Sequence, residues 1–191
     1  MRTMILDTST ALMYVAFVQN NQVIYEKKQF GKNNHSEHFL LAIEEGLKHL
    51  SWQVKDFGAI IVGIGPGSYT GLRISLTVAK IWAWTLQIPL YTVSSLDLLA
   101  SGYYHQNGLY AVVSLAKSGH VYGKVLKAQD GSIRPFGEES FMEKTAFLDS
   151  IKHLNYSLVD EQNYLVDIRG LKPELVQDLH NLSPYYMRRG I

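Results

Sequence analysis

The chain has 191 residues, of which 47% are hydrophobic and 18% charged, with 18 basic side chains, 17 acidic ones and no cysteine. This composition excludes a disordered polymer, a disulfide scaffold or thiolate metal site, and, at a net charge of +1, a broad electrostatic field for nucleic acid. No apolar run reaches the roughly 18 residues of a membrane helix, and the apolar part of MRTMILDTST is too short and too soon interrupted by Asp7 for a signal peptide; the expectation is a cytoplasmic protein without membrane contact.

Residues 2–7 (RTMILD), 12–18 (LMYVAFV) and 22–28 (QVIYEKK) are rich in β-formers, and Asn20-Asn21 signals a tight turn, so three antiparallel strands are predicted. After the loop Gly31-Lys32-Asn33-Asn34, residues 36–50 (SEHFLLAIEEGLKHL) predict a helix. Ser36 is its expected cap and Glu37 suits its first turn. Phe39, Leu40, Ile43, Leu47 and Leu50 fall on one face, and the small Ala42 and Gly46, four apart, would let another helix approach closely. The unbroken apolar run 59–64 (AIIVGI) is expected to be a central strand buried on both faces. A glycine-rich turn follows, then a long helix over 70–87 stopped by Pro89, a strand at 90–93 and a short helix within 95–106.

The order β-β-β-α-β-α-β-α matches one lobe of the ribonuclease-H-like fold shared by actin, hexokinase and sugar kinases, here assigned to residues 1–108. Three more strands are expected at 109–115, 120–128 and 132–136, turned at Gly119 and Asp130-Gly131. A helix near 143–153, a strand at 164–168 (YLVDI) and a helix begun by Pro173 (PELVQDLHNL) should follow. Residues 109–191 therefore read as a reduced second lobe that begins to repeat the first, without a repeat visible in the sequence itself.

The turn GIGPGSYTGLR (63–73) fits no standard phosphate loop. Gly71 is followed by Leu72, so the lysine of a Walker loop is missing, and the glycine spacing is wrong for a dinucleotide fingerprint. Two readings stay open: the glycines let the turn pack tightly, or the turn and the helix start hold an anion. The residues that would do so are Asp7, Thr8 and Ser9 at the end of the first strand, and Gly65, Gly67, Ser68, Thr70, Gly71 and Arg73. Ser68 or Thr70 can cap the helix. Arg73 opposes the helix dipole in the first turn, which favours a carboxylate partner or an external contact. Asp7 has an alternative structural role, accepting hydrogen bonds from nearby turn N–H groups.

The stretch GPGSYTGLR resembles the GPGSFTGLR signature of the bacterial TsaB family, also called YeaZ. The opening ILDTSTALMYVAF (5–17), His35-Ser36-Glu37 with Leu40-Leu41, TVSSLDLLA (92–100) and Pro184-Tyr185-Tyr186-Met187-Arg188 are similar to further segments of that family. The resemblance is dense over 1–100 and poor over 123–183. It implies an actin-like ATPase fold, and a protein that transfers no threonylcarbamoyl group itself. Such a protein pairs with a catalytic paralogue, TsaD, is joined by a small ATPase, TsaE, and reaches tRNA through that complex. ATP or ADP would bind only at the joint surface with the partner, with no cofactor held by this chain alone. Where relatives open the second lobe with an acid in D-A-R-x-x-E-V-Y, this chain has Leu115, Lys117 and His120, which argues against self-sufficient nucleotide chemistry.

The 70–87 helix is apolar nearly all round, so it should be covered on more than one side. With the 36–50 helix it is expected to form a four-helix seam with a partner, or with a second copy, through Phe39, Leu40, Ala42, Ile43, Gly46, Leu47, Leu76, Ala79, Lys80, Trp82 and Ala83. Trp82 and Trp84 point about 200° apart, so at most one faces the sheet. His35 and His38 are expected to be surface histidines, as no third metal ligand is evident. No catalytic residue is assigned: Ser68 lies outside a G-x-S-x-G elbow and no H-E-x-x-H is present. The rival expectation is a small ATP-dependent phosphotransferase or a residual peptidase. The aromatic, basic tail SPYYMRRGI fits either a contact with tRNA or a partner, or a strand packed on the sheet.

Overall fold

The structure is a computed structural model that describes residues 1–30 and 35–187, the side chains of His35 and Ser36 excepted. Strands β1 (Arg2–Asp7), β2 (Leu12–Gln19) and β3 (Gln22–Phe30) form an antiparallel meander. Asn20 and Asn21 take the left-handed conformation (φ 51° and 63°) that a two-residue hairpin demands. Helix α1 (His35–Leu50) leads to β4 (Ala59–Gly63), helix α2 (Tyr69–Leu86), β5 (Leu90–Val93) and the short α3 (Ser95–Ala100). The expected cap Ser36 lies outside the described side chains. Strands β4 and β5 are parallel to β1, giving the order β5-β4-β1-β2-β3 of a ribonuclease-H-like sheet.

Beyond it, β6 (Gly108–Leu115), β7 (His120–Gln129), β8 (Ser132–Pro135) and β9 (Ser140–Glu143) precede α4 (Lys144–Ile151) and β10 (Tyr156–Val159). β8 and β9 both pair with β7, one behind the other, and β10 runs parallel to β6. The second sheet thus repeats the first through its fourth strand and stops short of counterparts to α2 and β5. Asp130 (φ 53°) and Gly131 (φ 71°) make the β7–β8 hairpin turn.

Two expectations are corrected. Residues 164–168 form no strand. Tyr164 and Val166 do reach the core, but the backbone bonds go to a helix end: Leu165 N–H to Leu99 O (2.9 Å) and Gly102 N–H to Leu165 O (2.8 Å). The strand that joins β6 is β10, which begins eight residues earlier. No helix follows Pro173 either. Glu174–Leu175 is a two-residue strand, β11, antiparallel to β5 at the edge of the first sheet. Asp178 then accepts from the N–H groups of His180 and Asn181, a local turn that competes with helix formation. Val176, Leu179 and Leu182, spaced as on a helix, pack onto the first lobe as an irregular strap.

The core has three parts. On the outer face of the first sheet, Met4, Leu6, Val15 and Phe17 pack under Phe39 and Ile43 of α1 and Leu76, Ala79 and Ala83 of α2. On the inner face, Ile5, Tyr14, Ala16 and Ile61 share one cluster with Leu96 and Leu99 of α3 and with Tyr110, Val112, Tyr122 and Leu126 of the second sheet. The far side of the second sheet is covered by Phe147 and Ile151 of α4.

Candidate functional site

The glycine turn closes on the β1–β2 loop. Ser68 N–H donates to Ser9 O (2.6 Å), and Thr8 Oγ1 donates to Gly71 O and accepts from Ser75 N–H (3.3 Å). Ser9 Oγ donates to Ser95 Oγ (2.7 Å), which also accepts from Gly65 N–H (3.0 Å). Asp7 Oδ1 accepts from Ser9 N–H (2.7 Å), and Tyr122 of the second sheet donates its hydroxyl to Gly67 O (3.1 Å). A Cβ on Gly67 would overlap Ser9 O, and one on Gly71 would overlap Thr8 O. At these two positions glycine serves close backbone approach; of the turn's glycines, Gly65 alone has a positive φ (109°).

The nine anion-site candidates therefore divide. Asp7, Thr8, Ser9, Gly65, Gly67 and Gly71 are buried, while Ser68, Thr70 and Arg73 face solvent. Ser68 is the N-cap of α2, its hydroxyl accepting from Gly71 N–H. Thr70 makes no cap. Among the described residues no carboxylate pairs with Arg73: its Nε donates to Tyr186 Oη (3.1 Å), and its guanidinium lies 4.0 Å from the Tyr69 ring centre.

The proposed seam residues are redistributed more strongly. Phe39, Ala42, Ile43, Leu76, Ala79 and Ala83 are buried in the chain's own core and are corrected as contact residues, because the first sheet takes that side of both helices. Gly46 is buried too, and a Cβ there would meet the Phe17 and Tyr25 rings at 2.6 Å, so its smallness serves a ring and not a second helix. Leu47 and Trp82 are half-buried against the same core. Lys80 holds the strap, donating to the carbonyls of His180 (3.2 Å) and Leu182 (2.8 Å). Trp84 is the outward tryptophan and packs against the His180 ring, with centres 4.7 Å and planes 63° apart. Besides the aromatic Tyr69 and Trp84, the large apolar side chains that α1 and α2 leave exposed are Leu40 (53%), Leu41 (51%) and Ile81 (55%). Leu41 and Ile81 were not among the expected contacts; helical periodicity finds stripes but not which stripe the sheet takes.

Between the sheets lies a cleft of about 300 Å³ lined by Ser94, Asp97, Lys124, Glu139, Lys172 and Glu174, among others. Lys124 is buried and pairs with Asp97 (2.7 Å) and Glu139 (3.1 Å), while Ser94 donates to Glu139 (2.6 Å). Burial raises the Asp97 carboxyl above its ordinary value despite the attraction of Lys124. None of these residues stood out in the sequence, since isolated charges on separate elements carry no spacing signal. At the end of β6, Leu115 N–H donates to Glu161 Oε1 (2.9 Å), so a carboxylate does reach this strand end, from a distant part of the chain. His35, half of the histidine pair, lies outside the described side chains. Among the described residues there is no metal-holding group of three or more His, Asp or Glu, and no helix is long and apolar enough to cross a membrane.

A family model described as "TsaD: tRNA N6-adenosine threonylcarbamoyltransferase" matches residues 20–164. The chain is 33% identical over 179 residues to "tRNA threonylcarbamoyladenosine biosynthesis protein TsaB" of Bacillus subtilis (strain 168), covering 94% of this chain and 76% of the relative. To the protein of that name from Escherichia coli (strain K12) it is 29% identical over 142 residues, 73% of this chain and 61% of the relative. Among solved structures, "YeaZ from Pseudomonas aeruginosa" superposes with a TM-score of 0.66 at 28% identity over 74% of this chain and 67% of that one. A second structure, described as that of an uncharacterized protein with similarity to peptidase YEAZ from Pseudomonas aeruginosa, superposes with a TM-score of 0.75 over 98% and 99% of the two chains; at 23% identity it speaks for the fold alone.

Proposed function

The chain belongs to the TsaB family of tRNA threonylcarbamoyladenosine biosynthesis proteins, and from this premise we propose that it is a cytoplasmic accessory subunit of the enzyme that makes this modification. It docks a catalytic paralogue of the TsaD kind and performs no transfer itself. A small ATPase of the TsaE kind joins the pair, tRNA is reached through the assembly, and any ATP or ADP sits at the joint surface. The same face closes a homodimer when the partner is absent.

The observation that carries this proposal is the exposure of three large aliphatic side chains, Leu40, Leu41 and Ile81, on two helices that pack against each other. Three aliphatic side chains left in water on neighbouring helices fit an association surface better than scattered exposure. A further feature agrees with it: six of the nine candidate anion-binding residues are buried in the turn's own packing.

Size-exclusion chromatography with light scattering, with and without the paralogue, tests the proposal. The expected result is a heterodimer, lost or weakened at least tenfold in Ile81→Glu. Robust threonylcarbamoyl transfer by this chain alone would overturn it, as would magnesium-dependent ATP hydrolysis abolished by Asp7→Ala.

A further inference from the structure

The strap returns along α2 in the opposite direction to the helix: His180 meets Trp84, the carbonyls of His180 and Leu182 meet Lys80, and Tyr186 meets Arg73 and Tyr69. At the end of this path three planar groups gather. The Tyr69 and Tyr186 rings stack with centres 5.1 Å apart and planes 28° apart, and the Arg73 guanidinium lies over Tyr69. All remain open to water: Tyr69 is 56% exposed, Tyr186 38% and the adjacent Tyr185 46%. The backbone of Tyr185 is pinned to the glycine turn, its N–H donating to Ile64 O (2.8 Å), so the rings stand on an anchored base. Two positive charges lie along the same helix stripe, Arg73 and Lys80, and neither forms an ion pair with a carboxylate among the described residues.

We propose that Tyr69, Arg73 and Tyr186 form a stacking platform for an unpaired base of tRNA, with the neighbouring phosphate drawn to Arg73 and Lys80. Aromatic rings and guanidinium planes are what single-stranded nucleic acid stacks on, and such a surface needs little net charge elsewhere because the contact is local. A protein interface core would favour the exposed aliphatic Ile81 on the other arc of α2; this cluster pairs planar faces with cations that meet no carboxylate among the described residues. The choice of tRNA as the nucleic acid rests on the function proposed above.

The test is ultraviolet crosslinking of an unmodified tRNA transcript to the full chain, alone and with its catalytic paralogue, with the crosslinked residues mapped by mass spectrometry. Crosslinks at Tyr69, Tyr185 or Tyr186 are expected. In equilibrium binding, Tyr69→Leu and Tyr186→Leu should each weaken tRNA affinity about tenfold, while Tyr69→Phe retains it. Arg73→Lys should lose affinity but keep the salt dependence, and Arg73→Gln should lower the salt slope by about one. Crosslinks confined to other surfaces would overturn the proposal. So would unchanged affinity in leucine variants that remain folded, or loss of paralogue association in those variants with tRNA binding intact, which would make the cluster a protein contact. If the wild-type chain forms no complex with the paralogue, the docking proposal fails, and crosslinks to the chain alone still decide this one.

Discussion

Gly71 carries no side chain because the carbonyl of Thr8 occupies the space a Cβ would need. Gly71→Ala forces the β1–β2 loop and the start of α2 apart and breaks the bond from Thr8 Oγ1. A loss of at least about 2 kcal/mol is expected from such overpacking, read as a lower urea midpoint at an unchanged slope. Lys124 poses the opposite problem, a buried cation whose two partners become uncompensated if it goes. Lys124→Met should cost about 3 kcal/mol. Asp97 has a definite sign. Its folded pKa is raised by burial, so between its ordinary value of 3.8 and the raised one the folded state holds a proton that the unfolded state has released. Asp97 therefore supports folding at low pH, and that support is lost as pH rises through this window. Wild-type stability minus that of Asp97→Asn should fall with rising pH above 3.8; a rising difference would mean that Lys124 outweighs burial.

At the scale of the element, α2 shows why one helix can be apolar on nearly every side. Leu72, Leu76, Ala79 and Ala83 face the sheet, Lys80 and Trp84 meet the strap, and Ile81 remains open. Substitutions only two residues apart should therefore behave differently. Ala83→Glu buries an unpaired charge and should unfold the protein or cost at least about 3 kcal/mol. Ile81→Glu should leave the thermal midpoint within a few degrees, because surface changes rarely exceed about 0.5 kcal/mol. If Ala83→Glu is as stable as the wild type, the assignment of that face to the sheet is wrong. The sequence located this helix almost to the residue, since Ser68 and Pro89 bracket it. It did not locate the strap, because PELVQDLHNL has helical spacing and the turn made by Asp178 emerges only once Val176, Leu179 and Leu182 find the first lobe.

At the scale of the molecule, the two sheets share one apolar cluster running from Ile5 and Tyr14 through α3 to Tyr110 and Leu126. The connection is reinforced by Lys124 with Asp97 and by Tyr122 with Gly67. The second sheet, lacking a counterpart to α2, depends on the first for one of its faces. A single cooperative transition is expected. Tryptophan emission, which reports only Trp52, Trp82 and Trp84 in the first lobe, should coincide with far-ultraviolet circular dichroism, which reports both sheets. Separate midpoints would show that the lobes fold independently.

Local chemistry determined the hairpin at Asn20-Asn21, the central strand β4, the glycine turn and both long helices, because turn residues, caps and periodicity act between neighbours in the chain. Nearest-neighbour chemistry also sufficed to suggest a second lobe that begins as the first does. Only the tertiary structure decided which helix faces are buried, that residues 164–168 bond to a helix end and that the final stretch returns along α2. The same holds for the meeting of Asp97, Lys124 and Glu139. Each of these depends on where apolar area and hydrogen-bond partners from distant parts of the chain come together, and no pattern confined to one segment contains that information.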